Sequence, residues 1–145
     1  MREILFKAKR TDTDTWTEGN LLAFDSRRYI INDTESIYHC PRCDREETRE
    51  VWFAVIPETV SQFTGLYDKN GVRIWENDIV KMIIKSAMNP AEPPLIFIGV
   101  CKFKDGSFGF SRPRAGVEVF TAFSATFNVD FEVIGNRFDN PDLLN

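Results

Sequence analysis

Short runs of branched and aromatic residues, each closed by turn chemistry, recur along the whole chain. That spacing predicts many short strands rather than long helices. The densest stretch is 62–81, and its turns organise the rest. Asn70-Gly71 offers two residues that both tolerate φ > 0, so residues 63–67 and 72–75 are expected to fold back as a β-hairpin. A second reversal at Glu76-Asn77-Asp78 then releases residues 79–84, a branched apolar run that reads as a buried strand. Upstream, 3–10 reads as a strand, 11–15 as a polar turn with Trp16 anchoring the return, and 21–24 and 28–31 as two short strands. Residues 50–56 alternate and stop at Pro57, which cannot donate to a ladder.

Downstream, three prolines between Pro90 and Pro94 make 85–94 a surface loop. Residues 95–103 resume as a strand, turn at Asp105-Gly106, and return as 108–111. Residues 112–116 read as another loop, 117–120 as a short strand and 131–136 as the last one. Asn140 and Pro141 then begin a brief terminal helix. The fold class expected is mainly β, an SH3-like barrel or roll with additional N-terminal strands and at most short helices. Residues 1–56 form an N-terminal β lobe with an exposed, Cys-containing excursion at 36–50, and 57–145 form the barrel core, the two being separable or one continuous domain.

The string from Glu58 to Lys81 resembles the signature of the YopX family, small proteins mostly of bacteriophages and prophages. Two further blocks fit: Met1-Arg2-Glu3-Ile4-Leu5-Phe6-Lys7-Ala8 at the start, and Glu132-Val133-Ile134-Gly135-Asn136 with Asn140-Pro141-Asp142-Leu143-Leu144 at the end. Ser61 stands where that family commonly has a small residue such as Gly, and Asn77 where a Gly usually precedes the Asp; Asn tolerates the left-handed corner. Residues 36–50 lie outside the pattern. The resemblance implies an SH3-like barrel and self-association rather than catalysis. It points to a non-enzymatic phage or prophage accessory protein in the bacterial cytoplasm that forms homo-oligomers, through strand edges and residues 140–144, and binds an unidentified protein partner.

Composition agrees with a packed interior: 43% of the 145 residues are hydrophobic, with 13 Phe and 3 Trp. A net charge of -4 argues against coating nucleic acid or membrane by bulk charge. The N-terminal residues carry no apolar leader-like run, and three Cys do not make a disulfide framework. Both suit a soluble protein in a reducing compartment.

Three features carry candidate chemistry. His39-Cys40-x-x-Cys43 is the one metal-like arrangement, but structural zinc takes four ligands, and Cys101 sits in an apolar strand; a second chain, Asp44 or Glu46 would have to complete the set. The expectation is an unmetallated turn, with no cofactor and zinc as the alternative. Residues 81–114 hold Lys81, Lys85, Lys102, Lys104, Arg112 and Arg114 against Glu92 and Asp105, interleaved with Phe103, Phe108 and Phe110. Cations beside aromatics are how barrel proteins hold single-stranded nucleic acid, so Lys102, Lys104, Phe108, Phe110, Arg112 and Arg114 form the alternative binding surface. Alternate Phe on a hairpin more often face the core. Asp68, Glu76 and Asp78 cluster at the central hairpin and could serve a metal-dependent enzyme, although short carboxylates at turns usually bond local backbone.

Overall fold

The computed structural model describes residues 1–32, 37–39, 42, 46–48 and 51–145. Its regular structure is mainly antiparallel strand with three short 3₁₀ turns, and the chain divides into two compact units, Met1–Gln62 and Phe63–Asn145.

In the first unit β1 (Phe6–Lys9), β2 (Trp16–Phe24) and β3 (Arg27–Asn32) follow one another as neighbours. Then β4 (Ile37–His39) and β5 (Glu46–Thr48) pair with each other, and β6 (Val51–Val55) returns to the outer side of β3. The other side of β1 receives Ser61 and Gln62, the first residues of β7 (Ser61–Tyr67). Ala8, Ile30 and Val55 are the buried core, packed by Phe6, Leu21 and Val60. Residues after Pro57 still belong here because the Pro57–Thr59 turn is bonded into β1: Thr59 Oγ1 donates to Ile56 O at 2.7 Å and accepts from Lys9 N at 2.9 Å.

The second unit holds β8 (Arg73–Trp75), β9 (Asp78–Ile84), β10 (Leu95–Lys104), β11 (Ser107–Arg114), β12 (Val117–Ala122) and β13 (Val129–Asn136). Five of these form an antiparallel sheet in the order β12-β11-β10-β9-β13. Among the described residues β12 and β13 each pair with one neighbour, so the sheet is open. The mainly β reading holds, while the barrel closure it implied does not form. One face of the sheet is filled by Val80, Met82, Cys101, Phe108 and Phe110, with Ile74 and Phe123 closing over them.

The turns explain the registers. Gly71 adopts φ 79, but Asn70 is not left-handed, so the central hairpin is not the two-residue turn that Asn-Gly suggests. Gly71 N donates to Asp68 O at 3.0 Å and Asp68 N to Val72 O at 2.7 Å, a tight turn followed by one left-handed glycine. Asp105 and Gly106, at φ 51 and 79, do make the expected two-residue hairpin, with Lys104 opposite Ser107. Ala115 and Gly116 make another, at φ 51 and 78, where a loop was expected. Consequently β11 runs through Pro113, opposite Glu118. Proline is tolerated there because β11 beyond Ser111 pairs with β12 alone, so no ladder bond is lost on its other side.

Candidate functional site

Asp68 sits buried at the start of the central turn and its carboxylate is fully occupied by backbone. Oδ1 accepts from Asn70 N at 2.8 Å and Val72 N at 2.9 Å, and Oδ2 accepts from Val133 N at 3.0 Å. Burial pushes its pKa up, but the donors at Val133, Val72 and Asn70 outweigh that and hold it below the ordinary carboxylate value. Lys69 adds two links to the same strand: its N–H donates to Phe131 O at 2.9 Å, and its ammonium meets Glu132 Oε2 at 2.8 Å. The hairpin turn thereby covers the free edge of β13. Asp78 plays a similar part, accepting from Trp75 N at 2.9 Å beside Asn77, whose φ of 68 makes the expected left-handed corner. These acids organise turns, and neither carboxylate presents the open pair a metal would need.

The basic and aromatic hairpin is divided between two faces of the sheet. Phe108 and Phe110 point inward, 9% and 1% exposed, so neither ring is free to stack on a base, which corrects the surface drawn from alternation. Lys102 is on the opposite face, ion-paired to Glu118, whose carboxylate also accepts from Ser111 Oγ at 2.5 Å. The Lys102 and Ser111 hydrogen bonds lower the Glu118 pKa. The Lys104 ammonium lies 6.0 Å from the Phe120 ring centroid, Arg112 lies over Phe97, and Arg114 is exposed. Of the six residues predicted as one surface, Phe108 and Phe110 are thus withdrawn into the core, while Lys102 and Arg112 line one cleft.

Cys40 and Cys43, with Asp44, lie outside the described residues, and of His39 only the strand backbone is described. Among the described residues no three His, Cys, Asp or Glu side chains converge as a metal site. Cys101 is a buried thiol in the core.

What the sequence reading missed is apolar exposure. Residues 95–101 of β10 are an unbroken apolar run, the pattern of a strand covered on both faces. Yet Leu95, Ile96 and Ile98 are exposed at 62%, 55% and 41%. Met88 and Phe127 are exposed in the loops at the same end of the sheet, where β9 finishes and β10 and β13 begin opposite Ile84.

A protein-family model described as YopX protein matches residues 5–145, nearly the entire chain with its central hairpin, β13 and the terminal turn. The chain belongs to the YopX family. This YopX-family chain is similar to a solved structure, the crystal structure of protein EF1440 from Enterococcus faecalis, at 23% identity and a TM-score of 0.54, with 100% of each chain covered. That likeness is one of fold. No curated protein matches the chain. Among the described residues no helix is long and apolar enough to cross a membrane.

Proposed function

We propose that this YopX-family chain is a non-enzymatic binding module of phage or prophage origin that works in the bacterial cytoplasm and associates with copies of itself and with a protein partner. The observation that carries the reading is the exposure of the large apolar side chains Met88, Leu95, Ile96 and Phe127 near one end of the five-stranded sheet, Leu95 and Ile96 on opposite faces of β10. Single exposed apolar residues are ordinary, but a group of large ones at one place is the composition of an interface. The occupation of Asp68 and Asp78 by backbone amides supports a binding role over a hydrolytic one.

Sedimentation over a dilution series tests the self-association. The expected result is a mass above that of the 16.7 kDa chain at high concentration, falling on dilution. A single mass equal to the chain at every concentration overturns it.

A further inference from the structure

β10 and β11 are paired from Lys104 opposite Ser107 to Val100 opposite Ser111, and then they part. Residues 95–99 continue along β9, while residues 112–114 continue along β12. The strands part where Gly99 passes so close to Ser111 that an added Cβ would lie 2.4 Å from its carbonyl oxygen. Between the separated strands and the C-terminal turn Pro141–Leu144 lies a cavity of about 560 Å3. That volume is within the roughly 300–1,000 Å3 typical of small-molecule sites. Its apolar wall is Phe97, Ile98, Val100, Val117, Leu143 and Leu144.

Three charged side chains line it: Lys102, Glu118 and Arg112. Lys102 and Glu118 neutralise each other. Arg112 stands apart. Its guanidinium lies 4.0 Å from the Phe97 ring centroid, and it has no carboxylate partner among the described residues. A guanidinium resting on an aromatic ring is held in orientation while the edge of its N–H fork remains available, the geometry that takes a carboxylate in two parallel hydrogen bonds. Asn145 also lines the cavity. A largely apolar cavity with one pre-oriented cation that no side-chain carboxylate pairs is complementary to an apolar molecule bearing one negative charge.

We propose that the cleft where β10 and β11 separate binds a small apolar carboxylic acid, its hydrocarbon part against Ile98, Val100 and Leu143 and its carboxylate on Arg112. The site adjoins the sheet end assigned to self-association, Ile98 lying two residues from Ile96 along β10.

Isothermal titration of the full chain with decanoate, and with decanol as the uncharged counterpart, tests this. Decanoate is expected to bind once per chain and at least about tenfold more tightly than decanol, the factor that a charge-assisted hydrogen-bond pair supplies. Arg112→Gln is expected to abolish that preference without changing decanol binding. Ile98→Trp, which fills the cavity from a half-exposed position, is expected to remove binding of both while the melting temperature is retained. No decanoate binding, equal binding of acid and alcohol, or an unchanged preference in Arg112→Gln would each overturn the assignment. Sedimentation of the same variants separates the two sites, since neither is expected to alter association.

Discussion

The two faces of the five-stranded sheet are built from similar residues and end in different states. On one, Val80, Met82, Cys101, Phe108 and Phe110 are sealed beneath Ile74 and Phe123. On the other, Ile79, Ile83 and Val100 are covered, but Ile98 and Ile96, two and four residues from Val100 along β10, are open to solvent. Neighbouring positions of one strand thus differ in what they do for the fold: the sealed face contributes folding energy, and the open part of the other, being exposed, contributes little.

Truncation of the sealed face should have the largest effect. Phe110→Ala removes a ring from a closed core and is expected to cost roughly 3–5 kcal/mol in chemical denaturation. A loss below about 1 kcal/mol would mean that this face is not the core.

Next comes the carboxylate that ties the hairpin to β13. Asp68→Asn keeps the size but turns an amide donor toward a backbone N–H, with an expected loss of about 2 kcal/mol. Its pH dependence has a definite sign. The folded pKa lies below the ordinary value of 3.8, so the unfolded chain takes up the proton more readily. The stabilisation is full above pH 3.8 and is lost as pH falls through the lower, folded pKa. Acid titration of stability should therefore be steeper for the wild type than for Asp68→Asn below that pH. Parallel curves would remove Asp68 from the account.

Substitutions on the open part should scarcely register. Ile98→Lys is expected to stay within about 0.5 kcal/mol of wild type, because an exposed position has little burial to lose. A loss comparable to that of Phe110→Ala would erase the contrast between the faces.

How much of this could be read from the sequence varies by element. Asp105-Gly106 identified its hairpin because both positions need φ > 0 and the residues accept it. Asn70-Gly71 located a reversal but not its type, since Asp68 captures the local N–H groups and leaves only Gly71 left-handed. The Ala115-Gly116 turn was hidden because alanine is a poor candidate for φ > 0, and Pro113 disguised the strand leading to it. Alternation grouped Phe108 with Phe110 without saying which side was covered. Closure of the sheet, and the parting of β10 from β11, depend on partners far away in sequence, so no local pattern announces them. The apolar run 95–101 was visible throughout, but only burial reveals that its covering is incomplete.

The most direct measurement is light scattering of wild type beside an Ile96→Lys, Phe127→Ser double variant at equal high concentration. The account predicts that wild type exceeds the 16.7 kDa of a single chain, while the variant falls to that mass with its unfolding midpoint unchanged. Equal masses for the two proteins would contradict it.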